Sequence, residues 1–136
     1  MSFTLGRLYP AIMVSSSATG LTAADTNRIN YTPTAFAGIF RLSWDVDVRT
    51  STTHNFTLVG GWKDASAAAI SQTLGGFDKA GTGLVAGAIT NVIGAGVYYG
   101  VCVFDIDSSA TAITLSTSGT FTTVTYNIAA VLEQLA

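Results

Sequence analysis

Between Ile39 and Arg49 apolar and polar side chains alternate: Phe40, Leu42, Trp44, Val46 and Val48 fall on one side, Arg41, Ser43, Asp45, Asp47 and Arg49 on the other. A period of two is the mark of a strand with one buried face. Thr50 to Asn55 is polar and predicts a turn, after which Phe56, Leu58 and Trp62 resume the alternation. Gly60-Gly61 interrupts that second strand and predicts a bulge or kink. Lys63-Asp64-Ala65-Ser66 predicts the next turn, and Ala67 to Leu74 either a strand of small side chains or one helical turn. Gly75 to Gly83 reads as a loop centred on Phe77, Asp78 and Lys79, followed by strands over Leu84 to Ile93 and Val97 to Ile106.

The strand over Val97 to Ile106 differs from the rest. Val97, Tyr99, Val101 and Val103 lie on one face, Tyr98, Cys102, Phe104 and Ile106 on the other. A strand apolar on both faces is covered on both. In a small two-layer domain the second cover is expected from another subunit. Asp107-Ser108-Ser109 then predicts a turn, Ala112 to Thr117 a short strand and Ser118-Gly119 a last turn. A closing strand follows, with Val124, Tyr126, Ile128, Ala130 and Leu132 inward. Many short strands at fairly even spacing predict an all-β protein, an antiparallel β-sandwich or barrel.

Residues 1–33 pattern differently. Apolar patches at Phe3-Thr4-Leu5, Leu8-Tyr9 and Ala11 to Val14 alternate with Ser15-Ser16-Ser17 and with Pro10 and Pro33. This division gives an extended N-terminal arm or edge segment over 1–33 and a β-sandwich domain over 34–136. An arm with Phe3, Leu5, Leu8, Tyr9 and Ile12 exposed needs a partner surface. These five, with Tyr99, Val101 and Val103 on the doubly apolar strand, are the candidate interface residues.

Composition sharpens that picture. Of 136 residues, 49% are apolar and only 10% charged, against about 25% charged in ordinary soluble domains. Glu133 is the sole glutamate. A surface so poor in charge suits a protein that lives inside an oligomer. The net charge of -2, with six scattered cations, excludes the clustered basic footprint of a nucleic-acid binder. Cys102 is the only cysteine, so one chain holds no disulfide, and its apolar neighbours make it a small buried hydrophobe. No secretory signal is present at the amino terminus. The uncharged stretch Ala80 to Phe104 is long enough for a membrane span, but its repeated glycines fit a loop and two strands better.

Candidate chemistry is sparse. His54, the sole histidine, sits in a polar turn, and no nucleophile elbow is present. Asp45 with Asp47, and Asp105 with Asp107, share strand faces and offer paired oxygens. Calcium wants six to eight such ligands, so the pairs read first as solvated polar faces and turn caps, and as a shared ion site only if brought together. Gly94-Ala95-Gly96 leads into a strand rather than a helix and fails as a phosphate loop. Trp44 and Trp62 occupy inward registers, which fits core packing rather than a sugar platform. The sequence implies no enzyme, no catalytic residue, no metal and no cofactor.

Three stretches carry a resemblance: Phe36-Ala37-Gly38-Ile39-Phe40-Arg41-Leu42-Ser43-Trp44; Leu58-Val59-Gly60-Gly61-Trp62-Lys63-Asp64-Ala65-Ser66; and Tyr126 to Leu135. In this order they resemble small tailed-phage virion proteins with a jelly-roll fold, similar in layout to trimeric tumour necrosis factor and C1q-like heads. The resemblance covers Phe36 onward and implies a homotrimer used to decorate or cement a bacteriophage capsid. Its partners would be itself and the major capsid protein of the same particle, with no nucleic acid and no membrane. The protein would be made in the host cytoplasm and reside on the virion surface. The alternative is the trimeric receptor-binding head of a tail fibre or head fibre. A chain that opens on Met1 without a shaft fits decoration better.

Overall fold

The computed structural model describes residues 10–33, 38–51, 55–64, 66, 68–74, 76–78, 84–85, 89–90, 96–106 and 111–136. Within them the chain forms β1 (Ala11–Leu21), β2 (Ile29–Tyr31), β3 (Gly38–Ser51), β4 (Asn55–Lys63), β5 (Ala69–Leu74), β6 (Gly76–Asp78), β7 (Leu84–Val85), β8 (Ile89–Thr90), β9 (Gly96–Ile106), β10 (Ile113–Thr120) and β11 (Val124–Gln134). The first sheet runs β1-β11-β3-β9-β6-β7 and the second β2-β10-β4-β5, with β8 also on β4. Every pairing is antiparallel. Setting aside β6, β7 and β8, which fall between β5 and β9 in the chain, the remaining eight strands in chain order stack 1-8-3-6 over 2-7-4-5. That interleaving is a jelly roll, two Greek keys closed into a sandwich.

Alternation builds the core as the sequence predicts. Phe40, Leu42, Trp44, Val46 and Val48 of β3 are buried, as are Val124, Tyr126, Ile128, Ala130 and Leu132 of β11. Phe56, Leu58 and Trp62 of β4 and Ile113 and Leu115 of β10 face them from the second sheet. Each such large side chain contributes about 1.5–3 kcal/mol on burial. Aromatic rings tie the layers together: Trp62 stacks on Phe104 at 4.2 Å, and Phe56 meets Tyr126 at 5.0 Å. The Trp44 indole nitrogen is buried and has no hydrogen-bond acceptor among the described residues.

Four expectations need correction. Gly60-Gly61 makes no bulge, since β4 keeps unbroken register with β10 and β5. Gly60 instead leaves room for the core, because a Cβ there would lie 3.0 Å from the Trp62 ring and 3.3 Å from Leu74. Gly76–Asp78 is a strand, not part of a loop: β9 has a free edge there, and backbone pairing of Phe77 with Tyr99 needs no side-chain alternation. Leu84 to Ile93 is not one strand, for β7 joins the first sheet and β8 the second. Ser118-Gly119 does not turn the chain. β10 continues to Thr120, with Gly119 at φ +134° pressed against the backbone of Asn55 and Phe56. A side chain would not fit that approach. Of the predicted turns, Asp64 closes its own: its Oδ1 accepts from the Ser66 and Ala68 amides and the Ser66 hydroxyl. Those bonds hold its carboxyl below the usual range. The Asp107-Ser108-Ser109 turn lies outside the described residues.

Within the 1–33 segment the described residues carry two edge strands, β1 and β2. β1 closes one side of the first sheet and β2 the same side of the second. The segment joining them is pinned to both layers. Asp25 and Thr117 exchange backbone and hydroxyl hydrogen bonds, and the Arg28 amide donates to the Leu115 carbonyl. The Tyr126 hydroxyl donates to the Ala23 carbonyl at 2.7 Å and sits 3.0 Å from the Thr117 hydroxyl. Arg28 pairs with Asp25 at 2.7 Å and donates to Ser16 Oγ and the Ser17 carbonyl. This network stitches the sandwich along its β1–β2 side.

Candidate functional site

The outward face of the first sheet is where the structure departs from an ordinary surface. Strand β9 turns Tyr98, Phe104 and Ile106 into the core and Tyr99, Val101 and Val103 outward. The three outward side chains are 46%, 58% and 59% exposed. Ile39 on β3, 44% exposed, stands opposite Asp105 and adds a fourth apolar group beside Val103. In an isolated chain these side chains form an apolar strip facing water. Such patches mark contact surfaces.

Register gives the strip its polar borders. Antiparallel partners share a face, so Val103, Arg41, Glu133 and Ile12 make one row across four strands. Arg41 donates to Glu133 at 2.8 Å in the middle of that row. The next rows carry Val101 with Ser43 and Val131, then Tyr99 with Asp45 and Ala129. Asp47, opposite Val97, pairs with Arg49 at 2.7 Å. Partial burial, helped by the neighbouring Asp47 charge, pushes the Asp45 carboxyl above its usual range, against the pull of a hydrogen bond from the Ala129 backbone.

Of the candidate interface residues, Tyr99, Val101 and Val103 are thus gathered on one strip. Ile12, 66% exposed, shares their face but stands at the far edge, separated from Val103 by the Arg41–Glu133 pair. Phe3, Leu5, Leu8 and Tyr9 lie outside the described residues. Ile39 escaped the sequence reading, although the alternation that buries Phe40 already sets Ile39 outward with Arg41.

The candidates for chemistry stay dispersed. His54 and Asp107 lie outside the described residues. Asp45 and Asp47 share a face as expected, but no group of three or more possible metal ligands forms among the described residues. Trp44 and Trp62 are buried, which removes them as a sugar platform. Cys102 faces inward and is partly buried, and desolvation pushes its thiol up to about 11. Among the described residues, no helix is long and apolar enough to cross a membrane.

A search for related proteins finds no matching family model, no matching curated protein and no matching solved structure.

Proposed function

We propose that this chain is a non-catalytic structural protein that assembles into a homotrimer and decorates a bacteriophage capsid, adding to the stability of the shell. The observation that carries the self-assembly is the outward strip of Tyr99, Val101, Val103 and Ile39. Covering it with a second subunit removes apolar surface from water at about 25 cal/mol per Å². A jelly roll supports this reading, because each of its two sheets leaves an outer face free for packing. The charge-poor composition supports it as well. Assignment to a capsid rests on the three sequence stretches that resemble phage virion proteins. Many copies on one shell would add avidity to individually modest contacts.

Light scattering of the purified chain tests the first half, with a trimer expected and a monomer at all concentrations ruling it out. For the second half, particles stripped of this protein are expected to lose resistance to heat and osmotic shock. Full resistance after stripping would remove the cementing role. Binding of the trimer to host cells or glycans, with no binding to stripped capsids, would replace it with a receptor-binding head.

A further inference from the structure

We propose that the strip on β9 is covered by residues 3–7 of a second copy of this chain, a contact that rests on the self-assembly just described and names the segment that makes it. Two observations point there. The first is period and charge. Outward along β9 come Val101, Val103 and Asp105, and near the amino terminus come Phe3, Leu5 and Arg7, both sets spaced by two. Laid extended over the strip, the segment sets Phe3 on Val101, Leu5 on Val103 and Arg7 on Asp105. Among the described residues Arg28, Arg41 and Arg49 are taken by Asp25, Glu133 and Asp47, while Asp45 and Asp105 on this face enter no ion pair. Arg7 supplies the missing charge.

The second observation is reach. β1 begins at the level of Val103, since Ile12, Glu133, Arg41 and Val103 share a row. β1 and β9 are three strand spacings apart, about 14 Å, and a layer laid on a sheet stands about 10 Å above it. Only Leu8 and Tyr9 separate Arg7 from Pro10, three steps of chain that span about 10 Å when fully extended. A chain therefore cannot lay Arg7 on its own Asp105 in this register. A neighbouring copy can.

The test uses the full chain in a Cys102→Ser background. Chains carrying Leu5→Cys are mixed with tagged chains carrying Val103→Cys, and a disulfide-linked heterodimer is expected. In parallel, Arg7→Asp is expected to raise the subunit dissociation constant about fivefold, and Arg7→Asp with Asp105→Arg to restore it. Deletion of residues 1–9 removes nothing from the described sandwich, so a folded monomer by circular dichroism and light scattering is expected. An oligomer that survives both the deletion and the charge reversal overturns this contact while leaving self-assembly intact. Cross-linking only when both cysteines share one chain also overturns it. A full chain that is monomeric at every concentration overturns both.

Discussion

At the residue scale, polar groups between the layers matter more than their number suggests. The Tyr126 hydroxyl holds the Ala23 carbonyl and touches the Thr117 hydroxyl, which in turn accepts from the Asp25 amide. Tyr126→Phe keeps the ring that packs on Phe56 but strips the carbonyl of its donor. The expected loss is about 1–3 kcal/mol in chemical denaturation. Asp45 tests the outer face. Its carboxyl is raised in the folded state, so the folded protein holds that proton more tightly than the unfolded chain does. Ionised Asp45 therefore destabilises the fold above its raised value, and the penalty disappears as pH falls through the window just above 3.8. Asp45→Asn should melt higher than the parent near pH 7 and lose that advantage near pH 3. An equal gain at both values would mean the charge is not the cause.

At the scale of elements, β9 divides cleanly between core and surface. Because Val101 and Val103 are mostly exposed in the single chain, Val101→Asp should leave monomer stability within about 0.5 kcal/mol. The same change should abolish self-association, seen as a drop in mass by light scattering with an unchanged circular dichroism spectrum. The strands themselves were legible where side chains alternate: β3, β4, β9 and β11 follow directly from period two. Legibility failed where backbone geometry outweighs pattern. Gly60 gives way to the Trp62 ring, Gly119 lets β10 run on past its apparent turn, and Gly76–Asp78 pairs through amides that no side-chain pattern reports. The strip was legible from β9 having apolar residues on both faces. Its borders were not, because the Arg41–Glu133 and Asp47–Arg49 pairs depend on which strands lie side by side.

For the whole molecule, stability and assembly are one quantity if the strip is an interface. Association that favours the folded state makes the melting temperature rise with protein concentration. The parent should show that rise across a hundredfold dilution series, and Val101→Asp should melt at one temperature throughout. The strand order has a further result for how the protein comes into being. β11 lies between β1 and β3, yet it is synthesised after both, after β9 and after β10. Among the described residues, a growing chain on the ribosome thus presents β1 with no strand paired to it, and β3 with one open side, until the last of these strands emerges. β3 and β9 can pair as they are made, but β1 cannot join the first sheet until β11 arrives to bridge it to β3. A nascent chain stalled before Val124 should accordingly remain open to protease along β1, and one released past Gln134 should become resistant.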